Sequence, residues 1–321
     1  MLFHIPKLPS EMQITHLNAK LEGQQRKLAD TLMGWSEKRE LNKRLERQEK
    51  QRKKDNQKIY VLDFKGDMQA SSVEHLREEI TIILSIAKAG RDRVILRLES
   101  PGGLVHGYGL AAAQLARLRE AGFNLTICVD KVAASGGYMM ACIAQEIIAA
   151  PFAVVGSIGV VAQMPNFHKF LQQHNIDFDV YTAGEYKRTV TVFGENSDED
   201  RAKFEQELQQ THVLFKHFIE KYRPQLNVSA VATGEHWYGE DALKLNLVDK
   251  LETSDAYLLS LLPKHDIYVL HSRKKPTLGE KLGLQAAQLS AELAPVLTNV
   301  LRESMLKINS KVVMLKDNRF N

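Results

Sequence analysis

From position 58 onwards, two patterns of hydrophobic and polar residues alternate along the chain. Short, almost unbroken apolar runs ("KIYVLDFK", "RVILRLES", "LTICVDKV") are separated by longer segments in which apolar residues recur every three or four positions ("SVEHLREEITIILSIAKAG", "HGYGLAAAQLARLREAG"). The first pattern suits strands buried on both faces of a sheet, and the second suits amphipathic helices. A third helix is expected from Ser135, short strands within "EIIAAPFAVVGSIGVVAQM", a helix at "FHKFLQQHN" and a strand at "DFDVYTAG". A long helix follows from Asp198 to Tyr222, with Ser197 as its cap, three acidic residues at its positive end and an apolar stripe of Phe204, Leu208, Phe215, Phe218 and Tyr222. Beyond Pro224 come a compact unit, "TGEHWYGEDALKLNLVDKL", a helix near Ser254 to Leu262 and a further strand-like piece after Lys264. Strands alternating with helices throughout predict an α/β fold of stacked ββα or βαβ units.

The pattern before position 58 is different. Ile14, Leu17, Leu21, Leu28 and Trp35 follow a heptad and predict one helix, or a short coiled coil. After Trp35 the chain turns polar. Three regions are therefore expected: a helical basic arm over 1–57, an α/β domain over 58–264, and an extension over 265–321. The extension carries an amphipathic segment, Leu278 to Leu306, interrupted by Pro295.

Composition changes this picture in three places. The formal charge of +4 is concentrated: Ser36 to Lys58 holds ten Lys/Arg against five Asp/Glu, leaving 33 basic and 34 acidic residues elsewhere. A basic nucleic-acid-binding domain is not indicated. The arm reads as a solvated helix or as a basic surface for anionic lipid. Ile147 to Phe167 carries no charge, yet Pro151, Gly156, Gly159 and Pro165 break it, so buried strands are expected there and not a membrane span. No signal peptide is visible at the N-terminus. Two cysteines, Cys128 and Cys142, lie in apolar runs and read as buried thiols. Nothing calls for a metal or an organic cofactor.

Candidate chemistry gathers at "AASGG", where Ser135 precedes Gly136 and Gly137 at a strand-to-helix junction. It differs from the G-x-S-x-G nucleophile elbow by Ala133 in the first glycine position. The plain alternative is a serine that caps a glycine-rich helix start. Upstream, "SPGG" places Gly102 and Gly103 after a strand. Two of their backbone N–H groups, or one together with that of Gly136, would form an oxyanion hole. The base is the open question. No histidine lies between His106 and His168, and none of His106, His168 or His174 carries a motif. Lys187, in "YTAGEYKRTV", is the better candidate, with Gly184 bending the chain and Tyr186 offering apolar cover. A lysine in water is neutral in only about 0.04% of molecules at pH 7, so a lysine base must be desolvated. A surface lysine is the plain alternative.

Taken together, "SPGG", "VDKVAASGGYMMA", "APFAVVGSIGV" and "TAGEYKR" resemble, in order and spacing, the signal peptide peptidase family of membrane-associated serine peptidases, most of all its SohB branch. The resemblance covers about Lys58 to Leu262. It implies the ClpP/crotonase-like spiral of ββα units and a Ser–Lys dyad. Ser135 would be the nucleophile, Lys187 the general base, Ser157 the hydroxyl that orients the lysine, and Gly103 and Gly136 the oxyanion donors. It also implies a serine endopeptidase acting on signal peptides or other short apolar peptides, assembled as a ring or dome of identical subunits at the bacterial inner membrane. Members of the branch begin with a transmembrane helix, and no such span is expected in this chain; the basic arm would lie on the cytoplasmic side of one. Two other functions fit parts of the sequence. A crotonase-like enzyme would need an acidic or amide side chain at the site. A membrane-surface scaffold would use the helical arms alone.

Overall fold

The apolar runs become the centre of a seven-stranded sheet, β1-β10-β2-β3-β4-β6-β9. The computed structural model describes residues 10–184 and 186–274. The chain divides into two units, Met12–Ser272 and a second made of Met1–Glu11 with Arg273–Asn321; the following concerns the first. The strands are β1 (Ser10–His16), β2 (Lys58–Lys65), β3 (Arg93–Glu99), β4 (Asn124–Val129), β5 (Val132–Ala134), β6 (Glu146–Ala149), β7 (Val154–Gly156), β8 (His236–Tyr238), β9 (Lys250–Leu251) and β10 (Asp266–Lys274). The helices are α1 (Leu17–Leu32), α2 (Trp35–Asp55), α3 (Val73–Ile86), α4 (Val105–Glu120), α5 (Gly136–Ala141), α6 (His168–Gln173), α7 (Asp198–Tyr222), α8 (Val228–Val231), α9 (Gly239–Lys244) and α10 (Ser254–Leu261).

Strands β10, β2, β3, β4, β6 and β9 pair in parallel. A parallel sheet is buried on both faces, which is why its strands read as continuous apolar runs. One face carries Leu62, Leu96 and Ile127 into the main core with α3, α4 and α5. The other carries Ile59, Val61, Ile95, Cys128 and Ile148 against Tyr257 and Leu258 of α10. A second, three-stranded sheet, β5-β7-β8, stands at the carboxyl ends of these strands, and Ser100 joins it through a parallel bridge to Ala133. The chain therefore repeats one unit: a strand in the large sheet, a short piece in the small one, then a helix. That repeat is a ββα unit in an α/β fold, as the alternation predicts, and it is the unit of the ClpP/crotonase-like spiral that the family resemblance implies.

Two expectations are corrected, and a third is met. Ile14 to Trp35 is not one helix. Ile14 lies in β1, and the helical run breaks at Gly34, whose N–H donates to Glu37 Oε2 at 2.9 Å. The ion pairs Lys38–Asp30 and Arg52–Glu22 show that α1 and α2 run antiparallel. Ala29, Leu41 and Leu45 form their contact, whereas Leu28 and Trp35 are exposed. The heptad was thus a coincidence of spacing. Buried Asn18 fastens the pair to the body, donating to Leu262 O and His265 O and accepting from Ile267 N–H. "DFDVYTAG" forms no strand. No sheet edge receives it, and strand propensity needs one. The uncharged run from Ile147 divides into β6, a turn at Pro151 and β7, and no described helix is long and apolar enough to cross a membrane. The segment Leu278 to Leu306 lies outside the described residues.

Helix α7 starts and stops as its sequence dictates. Ser197 Oγ accepts from Asp200 N–H at 3.0 Å, and Ser197 N–H donates to Asp200 Oδ2 at 2.9 Å. At the other end, buried Arg223 donates to both carboxylate oxygens of Asp249 and to Asn246 O, and Asp249 also accepts from Ile147 N–H. This pins the C-terminal end of α7 to β6 and to the turn before β9.

Helix α3 carries Glu79, 2% exposed, whose Oε1 accepts the Ser272 N–H at 2.7 Å while Oε2 has no partner among the described residues. Burial, with Asp63 and Glu78 nearby, pushes its carboxyl up from the usual 4.5 to about 7. The folded chain therefore keeps a proton that the unfolded chain releases, and this contribution to stability is lost as pH rises from about 4.5 to about 7. Urea unfolding between pH 4.5 and 8 should show Glu79→Gln escaping that loss, which amounts to up to about 3 kcal/mol in the wild type. Parallel curves for the two proteins would contradict the buried acid.

Candidate active site

Ser135 follows β5 and precedes α5 with φ 53° and ψ −119°, a conformation that a side-chain-bearing residue adopts at a cost. Tertiary bonds hold it there. Its N–H donates to Gly156 O at 2.8 Å, and its carbonyl accepts from Met139 N–H at 3.0 Å. Its hydroxyl makes no cap bond to α5. The helix-capping alternative therefore lacks the bond it requires, and the strained backbone leaves the oxygen free in a groove.

Two glycines stand against this serine. Gly102, at φ +90°, lies so close that a Cβ there would sit 2.7 Å from Ser135 Cβ and 2.9 Å from Gly136 N. A Cβ on Gly103 would overlap the carbonyl of Met68, and one on Gly136 would overlap the ring of Tyr108. Residue type and close approach explain each other here. The N–H of Gly102 is spent on Ser100 Oγ at 3.1 Å. The N–H groups of Gly103 and Gly136 have no partner among the described residues. Of the donors weighed from sequence, these two are without a partner among the described residues, and both line the groove that Ser135 lines.

Ser157 is also in a positive-φ conformation, φ 50°, directly after β7. Its N–H donates to Glu235 O at 2.6 Å, and the preceding Gly156 packs against the Trp237 ring. Ser135, Ser157, Gly102, Gly103 and Gly136 all line one groove of about 1450 Å³. Met68, Leu104, Met139, Val161, Leu208, Phe215 and Phe218 make its walls largely apolar. Helix α7 supplies one wall, so the capping box at Ser197 and the Arg223–Asp249 pair position part of the groove.

Lys187 does not line this groove. It is exposed, on a turn whose Lys187 N–H donates to Gly184 O at 3.1 Å. The Tyr186 ring lies 4.7 Å from Lys203 Nζ. The burial expected of a lysine base is absent from the single chain. The cause is local: between Val161 and Asn196 the backbone has only the six-residue α6 as regular structure, and Phe167, Phe170, Phe178 and Tyr181 remain exposed. No motif in the sequence singles out His212 on α7, a groove residue whose Nε2 is buried without a partner among the described residues. It falls four residues after Leu208 and three before Phe215, within the apolar stripe, and that spacing was the available signal.

Comparison with known proteins agrees with the motifs. Residues 117–266 match peptidase family S49, and residues 6–115 match the peptidase family S49 N-terminal region. The chain is 56% identical over 230 residues to a probable protease SohB of Haemophilus influenzae, covering 72% of this chain and 65% of that protein, just under two thirds of its length. It is 51% identical over 272 residues to a probable protease SohB of Buchnera aphidicola subsp. Schlechtendalia chinensis, covering 80% of this chain and 89% of that one. Among solved structures, a mutant of a membrane-bound stomatin-specific protease aligns with a TM-score of 0.44 at 14% identity, covering 64% of this chain and 84% of that one. With both S49 regions matched end to end and SohB proteins sharing half or more of the aligned residues, the chain belongs to peptidase family S49, on its SohB branch.

Proposed function

We propose that this chain is a serine endopeptidase that hydrolyses short apolar peptides, signal peptides among them, with Ser135 as nucleophile and Lys187 as general base. The observation that carries the reading is Ser135 itself: a strained backbone, a hydroxyl free of the helix it precedes, and two unpaired glycine N–H groups beside it in an apolar groove. Ser135 Oγ attacks the peptide carbonyl carbon while its proton passes to Lys187 Nζ, held by Ser157. The N–H groups of Gly103 and Gly136 stabilise the oxyanion. Collapse breaks the C–N bond, and the lysine returns its proton to the leaving amine. Water then attacks the acyl-enzyme by the same route, releasing the acid and restoring Ser135.

A lysine base requires that Lys187 leave water. The exposed Phe167, Phe170, Phe178 and Tyr181 on its own segment form an apolar surface that association of identical subunits would cover. Assembly as a ring or dome would desolvate Lys187 and complete the groove together, and it would admit extended chains while excluding folded ones. The family resemblance supports an assembly at the bacterial inner membrane, and the basic arm suits an anionic surface.

A second reading rests on His212, which lines the groove in the single chain. Histidine would serve as base without desolvation, because its ordinary pKa is about 6.5.

Cleavage of a fluorogenic apolar peptide separates the readings. Ser135→Ala and Lys187→Ala should each lower kcat by about 10³-fold or more, with His212→Gln within about threefold of wild type. Full activity in Lys187→Ala together with loss in His212→Gln would move the base to His212. Labelling by a serine-reactive phosphonate should be lost in Ser135→Ala; an absence of labelling in the wild type at any pH would favour a non-enzymatic scaffold. Gly102→Ala tests the close approach. Its Cβ, at φ +90°, must displace Ser135 or Gly136. Turnover should fall at least about 100-fold, with a measurable drop in Tm.

A further inference from the structure

A buried polar chain runs beneath the oxyanion site. Ser100 and Tyr108 are both fully buried. Gly102 N–H donates to Ser100 Oγ at 3.1 Å, Ser100 Oγ and Tyr108 Oη are 2.6 Å apart, and Tyr108 O–H donates to Asp67 O at 2.8 Å. Each hydroxyl has one proton. Since Tyr108 gives its proton to Asp67, Ser100 must give its own to Tyr108. The chain thus has one direction: Gly102 N–H to Ser100, Ser100 to Tyr108, Tyr108 to the Asp67 carbonyl. Its far end is itself fixed, because the Asp67 carboxylate accepts from Gln69 N–H and Ser71 N–H.

The Tyr108 ring reaches the other half of the site. It lies against Gly136 so closely that no Cβ fits there, and a Cβ on Gly66 would overlap its hydroxyl. One side chain therefore touches Gly136 with its ring and orients the Pro101–Gly102 peptide through Ser100. Gly103 and Gly136, the two free donors, belong to loops from different strands that share no direct backbone bond at the donors themselves. We propose that Tyr108, acting through Ser100, is the positioning residue that sets the two oxyanion donors relative to each other, an inference that rests on the peptidase reading above. Both side chains are fully buried, so each acts through the backbone of the donors.

The test compares Tyr108→Phe, Ser100→Ala and the double variant with wild type and Ser135→Ala. The phenylalanine variant keeps the ring and loses only the hydroxyl; Ser100→Ala provides the second route should either fold poorly. Three results are expected. First, kcat for an apolar peptide falls about 10- to 100-fold with KM within about threefold, since the donors act on the transition state. Second, affinity for a tetrahedral peptide boronate falls by the same factor, and the double variant is no worse than either single one, as for members of one chain. Third, deuterium exchange in residues 100–104 rises about tenfold as Gly102 N–H loses its acceptor's anchor. Unchanged kcat or unchanged exchange in both single variants overturns the proposal. So does a loss carried by KM, or losses that add in the double variant, which would mark a merely structural role. Cleavage by the wild type that does not depend on Ser135 overturns the peptidase reading and this role with it; the exchange readout uses no substrate and tells that failure from an error in the hydrogen-bond chain.

Discussion

The parallel bridge between Ser100 and Ala133 is the constraint on which the rest of the site depends. Ser100 N–H donates to Val132 O at 2.8 Å and Ala134 N–H donates to Ser100 O at 3.0 Å. These two bonds draw the start of the loop after β3 against β5, the strand that leads into Ser135. Without them "SPGG" and "AASGG" are two unrelated strand-to-helix turns; with them, Gly102 lies on Ser135, and Gly103 and Gly136, whose N–H groups have no partner among the described residues, line the same groove as that serine. Because backbone groups carry the bridge, it leaves almost no signature in side chains. What it does demand is thin residues where backbones approach. A Cβ on Gly137 would sit 2.5 Å from Ser100 O, and those on Gly102, Gly103 and Gly136 would also clash.

The energetic logic of the site is strain held by redundancy. Two non-glycine residues, Ser135 and Ser157, adopt positive φ within a few residues of each other in space along β5 and β7. Each such residue costs of order 1–3 kcal/mol. The cost is offset by tertiary hydrogen bonds: Ser135 N–H is bonded to Gly156 O and Ser157 N–H to Glu235 O. The large sheet, covered on both faces, supplies the stability that lets the small sheet hold these conformations. Stability and function thus sit in different layers of the same ββα unit.

How much of this was legible follows from which signals are local. The central strands were, because burial on both faces writes itself as an unbroken apolar run. So was α7, through Ser197, its acidic first turn and Pro224. Ser135, Gly103, Gly136 and Ser157 could be picked out and are brought to one groove. The break at Gly34 was hidden by a heptad whose members, Leu28 and Trp35, turn out exposed. "DFDVYTAG" has strand composition but no edge to join, a tertiary fact no window of sequence contains. His212 and Tyr108 escaped for a related reason: each lies on a helix with an ordinary pattern, and only packing gives it a polar neighbour or a groove.

Lys187 marks the limit of a single chain. A cationic side chain gives up its proton near neutrality only when water is removed from around it. Among the described residues of Met12–Ser272 the turn that carries Lys187 is exposed, and that lysine lies outside the lining of the groove. Yet the same stretch leaves Phe167, Phe170, Phe178 and Tyr181 exposed, with Phe167 and Phe178 packed only in part on Phe193 and Phe170 on His174. The two oddities have one physical remedy. If identical subunits associate over this surface, as proposed above, burying Phe167, Phe170, Phe178 and Tyr181 would also lower the dielectric around Lys187, and the free energy of association and the activation of the base would come from the same contact. The base would then be built by assembly, whereas the fold alone already gathers Ser135, Ser157, Gly103 and Gly136 at one groove.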